Sequence, residues 1–133
     1  EAMEAAELLE QEGIDVEVID PRCTSPLDMD LILQSVRKTR RLLVADTSWS
    51  SYGVSAEICA RVCEKAFDAL QSPVKRIALP DANTPCGSNL EKEFYPGTED
   101  ILKSVRSMMG LKVDQKASLK LHPDEHAKFS GPF

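Results

Sequence analysis

The side chains able to do chemistry fall into three small groups. Cys59 and Cys63 stand four apart, His122 and His126 form H-x-x-x-H, and Asp15, Asp20, Asp28, Asp46 and Asp81 recur at the ends of apolar runs. A spacing of four puts two ligands on one helical face. The cysteine pair would need two further ligands to hold zinc, and the sequence offers no sign of them. The pair reads instead as small buried hydrophobes. The histidines carry Pro123 inside their spacing, and a zinc-protease motif needs Glu directly after the first His, so they read as part of a solvated tail. They are the only histidines, which leaves a Ser or Cys nucleophile without an evident base. Paired carboxylates can do acid–base work, but caps and strand-end hydrogen bonds account for most of the aspartates. No catalytic, cofactor-binding or metal-ligating residue follows from the residues alone.

One stretch stands apart: "DTSWSSYGVSAE", Asp46 to Glu57, between an apolar run and a helical pattern. A strand, a small-residue loop and a helix in that order can cradle a phosphate. Yet the loop has one glycine, Gly53, and no lysine, so it matches neither the dinucleotide fingerprint nor the Walker loop. Trp49 and Tyr52 are bulky where a cradle wants bare backbone. Two other readings stand beside it. Ser51 or Ser55 caps the helix with Glu57 in its first turn, or Trp49 and Tyr52 anchor a protein partner.

The elements that would position this loop alternate. "EAMEAAELLEQEG" is built from strong helix formers, with Ala5, Leu8 and Leu9 on one face; Gly13 stops it and Ile14 packs back. "IDVEVID", residues 14–20, alternates as a strand. "PRCTSPLD" is a loop ending at Asp28, which caps a helix with a buried stripe of Leu31, Ile32, Ser35 and Val36. "RLLVAD" is a continuous apolar run, as in a strand covered on both faces. The helix after the loop carries Val54, Ile58, Val62 and Ala66, flanked by a row of Cys59, Cys63, Phe67 and Leu70. "SPVKRIAL" reads as a further strand. Thr98 is expected to cap a last helix with Ile101, Leu102, Val105, Met108 and Met109 inside. This order predicts an α/β layered domain with a largely parallel sheet over residues 1–110. Residues 111–133 have no clean period and read as a C-terminal extension.

The chain of 133 residues suits one domain, and at that size roughly two-thirds of the unfolded surface can be buried. Its net charge of −6 disfavours nucleic acid, which needs a basic surface. It suits a basic protein partner, or simply solubility. The cysteines form no C-x-x-C, so reduced thiols in a cytoplasm-like compartment are expected. No apolar run approaches membrane-spanning length and no signal-peptide pattern is present, so no membrane partner is expected.

Several segments together carry a resemblance: "AAELLEQEGIDVEVIDPRCTSPLD", "ILQSVRKTRRLLVADTSWSSYGVSAEI", "SPVKRIALPDANTP" and "LEKEFYPGTEDI". Residues 1–109 resemble the C-terminal domain of the transketolase superfamily, and most closely the β subunit of thiamine-diphosphate-dependent 2-oxo acid dehydrogenases of the pyruvate, branched-chain or acetoin type. Thr47 stands where many members have an acidic residue, and Tyr52 and Gly53 stand where many have paired glycines. The resemblance implies a three-layer α/β/α domain with a mixed sheet, one strand running against the rest. It also implies a strand ahead of the first helix that has no counterpart here, hence a piece of a longer subunit.

The function implied is association. The parent enzyme would decarboxylate a 2-oxo acid on thiamine diphosphate and Mg²⁺, both held by other domains, and pass the acyl group to lipoamide. The partners implied are an α subunit, a second β subunit and the lipoyl acyltransferase core, in the cytoplasm or the mitochondrial matrix. Another thiamine-diphosphate enzyme, of transketolase or deoxyxylulose-phosphate synthase type, and a stand-alone interaction module are the alternatives. On this reading the loop faces a neighbouring subunit or the active-site approach, with Asp46, Trp49, Tyr52, Gly53 and Phe133 as interface residues.

Overall fold

Apolar stripes at helical spacing must bury against something, and here they bury in two separate places. The computed structural model describes residues 1–87, 90–91 and 94–111. Its elements are α1 (Ala2–Gln11), α2 (Met29–Thr39), β1 (Leu43–Trp49), α3 (Val54–Ala66), a 3-10 turn at Phe67–Ala69, β2 (Lys75–Leu79) and α4 (Thr98–Met108). β1 and β2 pair in parallel, with Leu43 opposite Lys75 and Ala45 opposite Ile77. α2 and α3 pack together on one side of β1, while α1 packs on α4, which touches both strands. The result is an α/β/α layering around a parallel sheet.

One core joins Met29, Ile32, Leu33 and Val36 of α2 to Ile58, Val62 and Ala66 of α3, with Leu42 and Val44 of the β1 run against them. The other joins Ala5 and Leu9 of α1 to Ile14 and Leu102. Each fully buried Leu or Val contributes about 1.5–3 kcal/mol over its exposed state. α1 ends as its sequence predicts: Gly13 takes φ +77°, the Gly13 amide donates to the Glu10 carbonyl and the Ile14 amide to the Leu9 carbonyl. That double closure is the left-handed helix stop for which glycine is suited. Asp28 caps α2, its Oδ1 accepting the Leu31 amide at 3.1 Å.

α1 and α4 are clasped at both ends. Thr98 donates its amide to Glu1 Oε2 at 2.8 Å and its hydroxyl to Glu1 and to Glu4, the latter at 2.7 Å. At the other end Arg106 pairs with Glu12. This holds the Glu12 carboxyl below its ordinary value, the Arg106 hydrogen bond being the larger cause.

The structure departs from the sequence expectation at several points. Residues 14–20 are not a strand: Ile14 is buried in the α1–α4 core, but Val16 and Val18 are exposed and no sheet neighbour pairs with the segment among the described residues. β1 does not stop at Asp46 but runs to Trp49, across an irregularity between Ala45 and Trp49. Leu31 is exposed and Leu33 takes its place inside, because 29, 32, 33 and 36 form the continuous stripe. In the row Cys59, Cys63, Phe67 and Leu70, Cys63 and Phe67 are exposed and Cys59 is half-buried, while Leu70 packs against the α2–α3 core. Thr98 is the first residue of α4 and Gly97 its N-cap; Asp100 returns a carboxylate to the Gly97 amide at 3.0 Å. Among the described residues no strand runs against the rest; the extension 112–133, with His122, His126 and Phe133, lies outside the described residues.

Candidate protein-interface site

In a parallel sheet the C-terminal ends of neighbouring strands emerge side by side, so loops that follow them meet. Here the loop after β1 meets the loop after β2. The Ser50 amide donates to the Leu79 carbonyl at 2.8 Å, and Arg76 Nη1 donates to the Ser50 carbonyl at 2.7 Å. Ser51 donates both its amide, at 3.1 Å, and its hydroxyl to the Asp81 carboxylate. These donors hold the Asp81 carboxyl below its ordinary value, the Ser51 hydroxyl first, then the Ser51 amide, with Ser50 and Arg76 adding to them.

Asp46 fastens the same loop from the other side. It accepts the Ser48 amide at 3.0 Å, the Ser48 hydroxyl and, at 3.4 Å, the Ser55 amide in the first turn of α3. Gly53 is the N-cap of α3 and has no side chain to offer. The cap therefore comes from Asp46, seven residues earlier in the chain, and not from Ser51 or Ser55. Gly53 is required by crowding rather than by its backbone angle. A Cβ there would lie 2.6 Å from Ser48 Oγ and 2.6 Å from the Trp49 carbonyl oxygen.

This arrangement is poorly suited to a diphosphate. The positive end of α3, where an anion would sit, already receives the Asp46 carboxylate, and a second carboxylate, Asp81, holds Ser51. What the loop does present is aromatic surface. Trp49 is 56% exposed and Tyr52 fully exposed. Tyr52 sits at φ +58°, in the left-handed region that bulky residues avoid. A large side chain held outward in a strained conformation on a fastened loop is what a protein contact uses. Among the described residues no group of three His, Cys, Asp or Glu side chains is gathered to hold a metal ion, and no helix is long and apolar enough to cross a membrane.

Of the five interface residues expected from sequence, four lie close together here: Asp46 and Trp49 in β1, Tyr52 and Gly53 in the loop that follows it. Asp46 and Gly53 build it, and Trp49 and Tyr52 are displayed by it. Sequence reasoning missed the Ser51–Asp81 latch and the Arg76 contact. The signal available was that Asp46 and Asp81 each close an apolar run, and parallel pairing of those runs would bring the two ends together.

Comparison with known proteins completes the picture. Residues 1–101 match the family model described as transketolase, C-terminal domain. The chain is 45% identical over 105 residues to the mitochondrial pyruvate dehydrogenase E1 component subunit beta-1 of Oryza sativa subsp. japonica, covering 79% of this chain and 28% of that protein. It is 39% identical over 107 residues to the pyruvate dehydrogenase E1 component subunit beta of Rickettsia felis, covering 80% and 33%. It is 38% identical over 109 residues to the acetoin:2,6-dichlorophenolindophenol oxidoreductase subunit beta of Bacillus subtilis, covering 82% and 32%. The chain thus spans about a third or less of each of these relatives.

Proposed function

Because the chain belongs to the transketolase C-terminal domain family, we propose that it is the association domain of a 2-oxo acid dehydrogenase β subunit. In the parent enzyme it supports oxidative decarboxylation of a 2-oxo acid and acyl transfer to lipoamide. Its own contribution is to hold subunits together. The pyruvate dehydrogenase names among its relatives support pyruvate as substrate, while the acetoin relative leaves a small hydroxy ketone as the other choice. Thiamine diphosphate and Mg²⁺ are bound by the parent enzyme's other domains.

The observation that carries this reading is the pair Trp49 and Tyr52, displayed on a loop whose polar groups are spent on fastening it. Its partners are the α subunit and a second β subunit, and the net charge of −6 suits the basic binding domain of the lipoyl acyltransferase core. The test has two arms. In the reconstituted parent enzyme, Trp49→Ala combined with Tyr52→Gly is expected to dissociate subunits in analytical ultracentrifugation while each subunit stays folded. In calorimetry, micromolar binding of thiamine diphosphate with Mg²⁺ by this chain alone would contradict the proposal.

A further inference from the structure

Cys59 and Cys63 stand on successive turns of one face of α3. Free cysteine is among the most buried of residue types, yet neither thiol enters the core: Cys63 is exposed and Cys59 half-buried. The pair is nonetheless held in fixed register. Ile58 and Val62, each one residue ahead of a cysteine, are locked into the α2–α3 core. The helix therefore cannot rotate to hide the two thiols or to part them, and they are presented together.

Spacing decides what such a pair can do. A disulfide needs Cβ atoms about 3.5–4.5 Å apart, whereas helical residues four apart hold theirs about 5–6 Å apart. The pair is too wide for an unstrained disulfide and leaves room for one bridging atom. A thiolate–metal bond is about 2.3 Å long, so an ion set in line between two sulfurs spans about 4.6 Å, which matches that spacing. Zinc fits poorly, because a structural zinc takes four ligands and no group of three His, Cys, Asp or Glu side chains is gathered among the described residues. A soft ion satisfied by two thiolates lacks nothing here.

The charges agree. The Cys59 thiol is pushed up by burial first, while the Arg76 guanidinium lowers it and Cys63 raises it. The two sulfurs thus feel one another, and a cation from β2 acts on the same site. Arg76 is itself tethered, Nη1 donating to the Ser50 carbonyl at 2.7 Å. When Cu⁺ binds, both thiol protons leave to solvent and the ion adds one positive charge. The resulting bis-thiolate unit carries one negative charge, which Arg76 offsets.

We infer that Cys59 and Cys63 form a two-thiolate site for a soft, two-coordinate metal ion, with Cu⁺ as the cellular example. The site stands apart from the association role proposed above and uses none of its interface residues. Titration of Cu⁺ into the full chain under nitrogen, in competition with a chromophoric Cu⁺ chelator, tests it. One ion should bind per chain. Cys63→Ser, a change at an exposed position, should weaken binding about 100-fold or more, the effect of losing one arm of a chelate, and Cys59→Ser should do the same. A variant carrying Cys23→Ser and Cys86→Ser should bind as the parent does. X-ray absorption of the loaded chain should show two sulfur neighbours around the ion and no third ligand. Equal affinity in Cys63→Ser would overturn the inference, as would loss of binding in the Cys23→Ser, Cys86→Ser variant. One ion per two chains, or more than two ligands on the ion, would also overturn it by assigning the metal to a site shared between molecules.

Discussion

Ser51 and Asp81 are thirty residues apart in sequence, yet the Asp81 carboxylate accepts both the amide and the hydroxyl of Ser51. The contact joins the loops that leave β1 and β2, beside Tyr52 and two residues after Trp49. Its chemistry sets a pH dependence. The Asp81 carboxyl is held below its ordinary 3.8 in the folded state. The unfolded chain therefore takes up the proton first, so the latch contributes fully above that pH and is lost as the pH falls through the lowered folded value. Trp49 is the single tryptophan, so its fluorescence should change in that acid window. Asp81→Asn should show the acid-form spectrum already at neutral pH. An Asp81→Asn spectrum identical to the parent at neutral pH would show that the latch does not set the loop.

Glycine substitutions should separate crowding from backbone conformation. Gly53→Ala places a methyl 2.6 Å from a backbone carbonyl oxygen that cannot swing aside, so a loss of about 1–3 kcal/mol is expected. Gly13→Ala meets open space but a φ of +77°, with an expected cost of about 1–2 kcal/mol. Denaturant midpoints at constant slope measure both. Only Gly53→Ala should also alter Trp49 fluorescence.

Tyr52→Gly should leave stability nearly unchanged. It removes the left-handed strain of a bulky residue, about 1–2 kcal/mol, and adds flexibility to the unfolded chain, about 0.4–1 kcal/mol. The net expectation is a thermal midpoint equal to or slightly above the parent's. If Tyr52 is a central anchor, affinity for the partner subunit should fall about 30-fold or more, the equivalent of about 2 kcal/mol.

Thiol labelling should rank the cysteines. Cys23, Cys63 and Cys86 are exposed, and Cys59 is half-buried with its thiol pushed up by burial. Under native conditions at neutral to mildly alkaline pH, three thiols should react quickly and one slowly. Mass mapping should identify the slow one as Cys59. Slow reaction at Cys63 would show that something covers that side of α3.

Much of this architecture is legible in the sequence because it is local. Gly13 closing α1, Asp28 capping α2 and the burial of Ile32, Ser35 and Val36 depend on neighbours three or four residues away, although Leu31, expected beside them, is exposed. What was not legible depends on partners far along the chain. Whether 14–20 is a strand is decided by what lies beside it, since alternation describes only a willingness to pair. Likewise the apolar row through Cys63 and Phe67 is a helical pattern whose middle members stay exposed. At the loop after β1 the residue types suggested an anchor, and Trp49 and Tyr52 are exposed there. The cap came from Asp46 because the fold, not the loop's own serines, brings a carboxylate to the start of α3.

The clasp between Thr98 and the carboxylates of Glu1 and Glu4 has a consequence for biosynthesis. These groups are separated by nearly the whole described domain. At ribosomal speeds of about 5–20 residues per second, α1 must wait roughly 5–20 seconds for its partner helix to emerge. Throughout that interval Ala5 and Leu9 have Ile14 beside them but lack Leu102 and the rest of the α4 face. Nascent chains of this protein should therefore depend on a holding chaperone until α4 clears the exit tunnel.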